Sequence, residues 1–320
     1  QENLDMLKKL NSPIFCVRQA FRKKYLWVMN FELTRIAPTP SGYLHLGNAY
    51  SFLLTKALAQ KHGAKILLRI DDLDRDRYRP EYVEDIFATL DFLEIKIDQG
   101  PKNSKEMEST WSQVHRLPIY TESLAQLEQS KLTFSCTCTR SQILQIDPRG
   151  IYLGQCLDRR MPLNKHESAW RINTLDADFL DYIAYPATPK SALIPEEASC
   201  YVVRKKDLLP AYQLSSLLDD LHFGVDLIVR GQDLFSSTLA QLDLARILGK
   251  EEFAKTTFYH HALLKGPDQS KLSKSAGAYS IRQLRQDGKT LADLFQLLGQ
   301  SLGLNHELRS FEDFEGSLTL

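Results

Sequence analysis

Two segments of the sequence carry groups suited to holding a chain of phosphates. The first runs Arg35-Ile-Ala-Pro-Thr39-Pro-Ser-Gly42-Tyr-Leu-His45-Leu-Gly47-Asn48, between a short apolar run and a helical stripe. A loop leading from a strand into a helix presents unpaired backbone N–H groups and the positive end of the helix dipole, which is where α/β proteins bind anions. Gly42 and Gly47 imitate the opening of a P-loop, but Asn48-Ala49 stands where that motif needs Lys followed by Ser or Thr, so the P-loop reading fails. The second segment, Lys271-Leu-Ser273-Lys274-Ser275, lies far downstream in a stretch rich in Gly, Ser and Pro. Two lysines and two hydroxyls on one loop suit a polyphosphate whose charge grows in a transition state. Singly, each segment is a weak signal, since connecting loops and solvated Lys/Ser loops are common. Together, in this order, they point to nucleotide chemistry.

Cys136, Cys138 and Cys156 form a second constellation. Three thiolates suit zinc in a tetrahedral site. The competing explanation is three reduced cysteines packed as small apolar groups. On the residues alone the fourth ligand is open, with Tyr152, Asp147, Asp158 and His166 all close in sequence. Five cysteines, an odd number in a chain of 320 residues, argue against a disulfide framework and for a reducing compartment.

The elements that must position these groups alternate. Phe31 to Ala37 reads as a strand closed by a Pro/Gly loop, and Tyr50, Leu53, Leu54, Ala57 and Leu58 line one face of a helix ending near Gly63. Ala64 to Ile70 reads as a buried strand, and Val83, Ile86, Phe87, Leu90 and Leu93 as a second helical stripe after Pro80. Strand, helix, strand, helix predicts an α/β fold with a parallel sheet and right-handed crossovers. The pattern breaks over residues 101–195, which hold a helix near 115–129, the cysteines and many prolines, and which read as an insertion. Alternation resumes with strand 200–205, helix 212–221, strand 225–230 and helix 236–248. The resulting plan is a basic extension (1–29), a first half-domain (30–100), the insertion (101–195), a second half-domain (196–275) and a short helical C-terminal segment (276–320).

Forty basic and forty acidic residues give a formal net charge of zero, so a nucleic-acid partner has to be held by local patches rather than by the field of the whole chain. The first thirty residues carry six basic and two acidic side chains. They lack the apolar core and cleavage site of a signal peptide. No run of about 18 apolar residues exists to span a membrane.

With these residues in place, the sequence resembles the class I aminoacyl-tRNA synthetases. His45-Leu-Gly-Asn48 is similar to their His-Ile-Gly-His motif and Lys271-Leu-Ser-Lys-Ser275 to their Lys-Met-Ser-Lys-Ser motif. Arg35-Ile-Ala-Pro-Thr-Pro-Ser-Gly42, Leu68-Arg-Ile-Asp-Asp-Leu-Asp74 and Leu227-Ile-Val-Arg-Gly-Gln-Asp233 are similar to the glutamyl branch. The resemblance covers roughly residues 31–280. It implies a Rossmann-like catalytic domain with an inserted zinc-containing, acceptor-type subdomain, and ATP-dependent activation of glutamate to glutamyl-adenylate with Mg2+ accompanying the ATP. It implies ATP contacts at His45, Gly47, Asn48, Lys271, Ser273 and Lys274, of which His45 and Lys274 are catalytic. It implies glutamate contacts at Arg35, Thr39, Asp71, Tyr212 and Arg230. Two arginines match two carboxylates, Asp71 matches the ammonium, and Thr39 and Tyr212 supply hydroxyls. Asn48 replaces a His that this branch commonly lacks. Asp71 stands where the family usually has Glu, which withdraws the carboxylate by one C–C bond, roughly 1.5 Å.

Within that branch, the glutamyl-queuosine tRNA(Asp) synthetases are similar in having Cys-x-Cys followed by Tyr-x3-Cys. That resemblance implies one structural Zn2+ on Cys136, Cys138, Tyr152 and Cys156. Only 45 residues follow Ser275, where a full glutamyl-tRNA synthetase continues into a helical anticodon-binding region. The expectation is therefore a cytoplasmic monomer without that region, which transfers glutamate to the queuosine wobble base of tRNA(Asp) and has no membrane partner. Arg159-Arg160 and Arg204-Lys205-Lys206 are candidate phosphate contacts. A truncated enzyme charging a 3′ end and a non-catalytic tRNA-binding paralogue are the competing expectations.

Overall fold

The computed structural model describes residues 30–175, 177–264 and 280–318; the 1–29 segment and the downstream Lys271, Ser273 and Lys274 lie outside the described residues. The chain opens on a strand–helix–strand unit: β1 (Leu33–Ile36), α1 (Leu46–His62) and β2 (Lys65–Leu68). β1 and β2 run parallel, from the pair Leu33–Lys65 to the pair Ile36–Leu68. In α1 the stripe Tyr50, Leu53, Leu54, Ala57 and Leu58 is fully buried, which is why this segment is a helix. The helix stops at Gly63, whose φ of 70° is the left-handed C-cap conformation that glycine adopts most readily. α2 (Pro80–Phe92) begins on proline and buries Val83, Ile86 and Leu90.

Next come α3 (Leu117–Gln129), β3 (Thr133–Cys136), α4 (Arg140–Ile146), β4 (Ala169–Ile172), the hairpin β5 (Leu180–Ala184) and β6 (Thr188–Ala192), and β7 (Val202–Arg204). α5 (Tyr212–Phe223), β8 (Leu227–Gly231), α6 (Phe235–Ile247) and β9 (Thr257–His261) rebuild the alternation. Three helices follow among the described residues: α7 (Ile281–Gln286), α8 (Leu291–Ser301) and α9 (Phe311–Ser317).

The large sheet has the order β2-β1-β8-β9-β5-β6, parallel except for β6 at the edge. Successive residues of its strands face opposite layers. Ile36, Ile66, Leu68, Leu227 and Val229 join the core under α1 and α2, whereas Leu33, Leu67 and Ile228 join the core under α3, α5 and α6. The same parity places Arg35 and Arg230 on the α5/α6 side. From β1 the chain winds outward to β2, and from β8 outward to β9, so the winding reverses between β1 and β8. In open α/β sheets the crevice outside the carboxyl ends at such a reversal is where ligands bind.

Two placements differ from the sequence expectation. Val202–Arg204 pairs with β4 in a small antiparallel sheet of order β3-β4-β7, although its apolar run suggested the large one. The β5–β6 hairpin, inside the segment expected to be wholly inserted, extends the large sheet beside β9. β6 is Thr-Pro-Lys-Ser-Ala and mostly exposed. A polar edge strand carries no hydrophobic periodicity to read, while its Pro and Lys discourage pairing with another chain.

Candidate active site and cysteine cluster

A cavity of about 400 Å3 occupies the crevice between β1 and β8. Arg35, Ala37 and Pro38 border it from the end of β1, Arg230 and Gly231 from the end of β8, and His45, Gly47, Asn48 and Ser51 from the start of α1; Tyr212 closes one side. His45 is the N-cap of α1: its Nδ1 accepts from the Gly47 amide at 3.1 Å while its own amide donates to Asn48 Oδ1 at 3.0 Å. A Cβ on Gly47 would stand 3.0 Å from the His45 ring, so glycine is what lets the imidazole fold back over the first turn. With Nδ1 accepting, the neutral ring carries its proton on Nε2. The arrangement couples an imidazole donor to the positive end of a 17-residue helix at the cavity wall.

Behind the wall lies a network of buried charges. Arg35 donates from Nε to Asp220 Oδ1 at 3.1 Å and from Nη1 to the Val229 carbonyl at 3.1 Å. Arg69 donates to the same Asp220 oxygen at 2.7 Å and grips both oxygens of Asp71 at 2.7 and 3.1 Å. Asp219 takes a two-pronged bond from Arg116 at 2.7 and 3.0 Å, the Tyr120 hydroxyl at 2.5 Å and the Gln113 amide at 2.9 Å. Burial alone would lower the Arg69 basicity, but Asp220, Asp71 and Asp219 outweigh it and hold the group well above its ordinary value. For Asp71 the balance reverses: burial raises its carboxyl above the ordinary value despite Arg69.

Arg230 differs from these. It is 3% exposed, forms no salt bridge among the described residues, and donates from Nη1 and Nη2 to one neutral atom, Gln241 Oε1, at 3.1 and 3.0 Å. Its Nε has no hydrogen-bond partner among the described residues. Burial pulls its pKa down to about 10, with Arg35 adding repulsion and Tyr212 opposing the shift. An uncompensated buried cation is costly, so this side chain is poised to receive an anion.

Arg35, His45, Gly47, Asn48, Tyr212 and Arg230 thus meet at one cavity. Thr39 and Asp71 do not line it. They sit together behind its rim, where the Asp71 amide donates to the Pro38 carbonyl at 2.9 Å; Thr39 is exposed and Asp71 is buried against Arg69.

The three cysteine sulfurs gather in the small sheet, all within 4.8 Å of one another, with Cys138 and Cys156 at 3.4 Å. Cys136 ends β3, and the Tyr152 hydroxyl accepts from the Cys156 amide at 2.9 Å, which puts the phenol against the cluster. Asp147 is turned away to Arg149. Burial, with the Cys156 contact, pushes the Cys138 thiol up to about 12. A tetrahedral zinc with Zn–S bonds of about 2.3 Å sets its sulfurs roughly 3.8 Å apart, a spacing that falls between the 3.4 Å of the Cys138–Cys156 pair and the 4.8 Å within which all three sulfurs lie.

A family model described as tRNA synthetases class I (E and Q), catalytic domain, matches residues 33–167 and 172–319. The chain belongs to this family. As a class I E/Q-type synthetase it is 32% identical to a glutamyl-Q tRNA(Asp) synthetase of Rhodobacter capsulatus, over 83% of this chain and 99% of that protein. It is 35% identical to one of Symbiobacterium thermophilum, over 79% and 81%. It is 30% identical to a glutamate–tRNA ligase 2 of Syntrophus aciditrophicus, over 89% of this chain but 61% of that protein. A crystal structure of glutamate–tRNA synthetase from Elizabethkingia anophelis superposes with a TM-score of 0.68 at 20% identity, over 90% of this chain and 66% of that one, which establishes the shared fold. No helix among the described residues is long and apolar enough to cross a membrane.

Within this synthetase the groups that sequence reasoning passed over are Arg69, Arg116, Asp219 and Asp220. Arg69 stood inside the motif Leu68-Arg-Ile-Asp-Asp-Leu-Asp74 without a role assigned to it, and the Asp219-Asp220 pair was visible only as a polar interruption of an apolar helix. Two adjacent acids in an otherwise buried helix were the available signal, since buried carboxylates need partners.

Proposed function

We propose that this chain activates L-glutamate with ATP and transfers it to the queuosine base of tRNA(Asp). The observation that carries the first half is Arg230: a buried guanidinium with a neutral partner, in a cavity shared with Arg35 and with the start of α1. Glutamate offers two carboxylates to two arginines, while the phosphates of ATP suit the helix terminus and the His45 imidazole. Tyr212 adds a hydroxyl at the mouth, and Thr39 and Asp71, which stand behind the rim in the ligand-free structure, would reach the amino acid only after a local shift, Asp71 toward the ammonium. Gly47 and Asn48 shape the phosphate turn. Lys271, Ser273 and Lys274 complete it from the downstream loop, with Lys274 meeting the charge that builds on the breaking phosphate bond.

In the reaction, a glutamate carboxylate oxygen attacks the α-phosphorus of ATP, and the β,γ-phosphates leave as pyrophosphate; Mg2+ accompanying the ATP would offset part of their charge. A hydroxyl of the acceptor base then attacks the adenylate carbonyl and AMP leaves. What the residues contribute is position and charge: the arginines fix the carboxylates, and the helix terminus with His45 and Lys274 receives the negative charge of the phosphates. Zn2+, held by Cys136, Cys138, Tyr152 and Cys156, would supply rigidity to the small sheet and no chemistry, because four protein ligands leave no open position.

Support for the acceptor comes from the relatives. Glutamyl-Q tRNA(Asp) synthetases of Rhodobacter capsulatus and Symbiobacterium thermophilum are 32% and 35% identical to this chain. The monomeric chain would hold the anticodon arm through local basic patches such as Arg159-Arg160 and Lys205-Lys206. The test of activation is glutamate-dependent ATP–pyrophosphate exchange. Exchange with glutamate but not glutamine supports it, and no exchange with any amino acid rejects it.

A further inference from the structure

Arg35 and Arg230 face the same cavity but are not electrostatically equivalent. Asp220 Oδ1 accepts from Arg35 and Arg69 together, on a carboxylate that is fully buried, whereas Arg230 meets Gln241, Tyr212 and the Phe258 ring and, among the described residues, no carboxylate. Within the buried network, four guanidiniums (Arg35, Arg69, Arg116, Arg230) face three carboxylates (Asp71, Asp219, Asp220). One positive charge is left over, and it resides on Arg230.

We infer that Asp220 limits the charge that the two arginines present to the amino-acid site: by orienting and neutralising Arg35, it leaves the arginine wall of the cavity one unit positive instead of two, which favours a single anionic group over a dianion. This rests on the glutamate-activating function proposed above. Asp220 does not line the cavity; it acts through Arg35 and is a positioning residue. The carboxylate grips the Nε edge of Arg35 while the Val229 carbonyl grips Nη1, which fixes the guanidinium plane and leaves the remaining N–H groups to the ligand. Without the Asp220 charge a second guanidinium would stand uncompensated, and the site would call for a second anion.

The experiment uses the full chain and measures glutamate-dependent ATP–pyrophosphate exchange with sulfate as an inhibitor competitive with glutamate. Asp220→Asn keeps the shape and the acceptor oxygen but adds one unit of positive charge. Sulfate should then inhibit about tenfold more tightly, the size of one added charge at short range in a partly polar interior. Asp220→Ala also removes the acceptor. The KM for glutamate should rise about 10- to 100-fold with kcat little changed, as expected for losing one hydrogen bond to a charged group. Combining it with Arg35→Gln should cost no more than Arg35→Gln alone, because both act through the same guanidinium. An unchanged sulfate constant in Asp220→Asn overturns the inference, and so does an additive loss in the double variant. Should Asp220→Ala fail to fold, the isosteric Asn variant decides by its sulfate constant. Wild-type exchange with unperturbed variants removes only the role of Asp220. Wild-type protein without any exchange rejects glutamate activation itself and this inference with it.

Discussion

Both terminal nitrogens of Arg230 converge on a single oxygen of Gln241, at 3.1 and 3.0 Å, so a buried cation is held in place by a neutral group. The pair fixes where the guanidinium lies without cancelling its charge. Its pKa is depressed from 12.5 to about 10, so the unfolded chain holds this proton more tightly, and folding at neutral pH bears a cost of roughly 3 kcal/mol. In the function proposed above, a glutamate carboxylate bound at Arg230 would relieve that cost.

The first prediction follows from this balance. Arg230→Met, which keeps volume and removes charge, should leave the melting temperature of the ligand-free protein equal to or above wild type. The KM for glutamate in pyrophosphate exchange should rise on the order of a hundredfold or more, as for truncating one partner of a buried charge contact. A lower melting temperature with unchanged KM would mean that Arg230 is structural and not an anion site.

Acid sensitivity is the second prediction. His260 bonds Thr238 Oγ1 at 2.7 Å, and burial, with repulsion from Arg230, His261 and Arg35, lowers its pKa from 6.5 to about 3. Between those values the unfolded chain binds a proton that the folded chain does not. Stability is therefore intact above pH 6.5 and falls as the pH drops toward 3, with a slope approaching one proton for this residue. Urea unfolding at a series of pH values measures the slope. A His260→Gln variant should flatten it, and equal slopes in the two proteins would discharge His260 from the effect.

How much of this was legible in the sequence depended on distance along the chain. The α1 stripe from Tyr50 to Leu58 and the cap at Gly63 are local patterns, and the structure follows them residue for residue. The thiols of Cys136, Cys138 and Cys156 were legible because short spacings confine them to one neighbourhood. Arg35 and Arg230 were legible only through motifs, yet strand parity puts both on one side of the sheet. The Arg69–Asp220 contact spans 151 positions and belongs to no local pattern. No periodicity could have announced it, because burial makes both groups look like exceptions to their own elements. The β5–β6 hairpin was hidden for the opposite reason: Thr188–Ala192 is polar and exposed, and only its pairing partner makes it a strand.

The cysteine cluster yields the third prediction. Trp170, Ile172 and Val203 tie β4 and β7 into the large core, whereas Cys136, Tyr152 and Cys156 are buried with only Phe134, Ile143 and Cys200, so the end of the small sheet that carries the cysteines has little apolar support of its own. Purified protein should contain one zinc per chain. Cys138→Ser should lose it and expose the small sheet, around residues 133–172, to proteolysis, since binding a structural zinc is folding free energy. Less than about a tenth of an equivalent of zinc in chelator-free protein would reject the site.

The last prediction concerns where the glutamate goes. The chain shares 30% identity with a glutamate–tRNA ligase and 32% with a glutamyl-Q tRNA(Asp) synthetase, so identity alone does not choose between a 3′ ribose and a modified base. The acceptor chemistry does. A 3′ ribose lies at the end of the acceptor stem, whereas a base hydroxyl lies in the anticodon loop. If queuosine is the acceptor, the label is recovered in the anticodon fragment after nuclease digestion. It should be absent from tRNA of cells unable to make queuosine. The two acceptors also differ in what the protein can read. A single-stranded loop is recognised by phosphate contacts and by stacking of splayed bases, so binding should weaken steeply with salt. Charge reversal at Arg159-Arg160 should weaken tRNA binding while leaving tRNA-independent pyrophosphate exchange intact. Label that appears on queuosine-free tRNA as readily as on the modified form, and maps to the 3′ fragment, would make this chain a 3′-end synthetase and exclude the queuosine assignment.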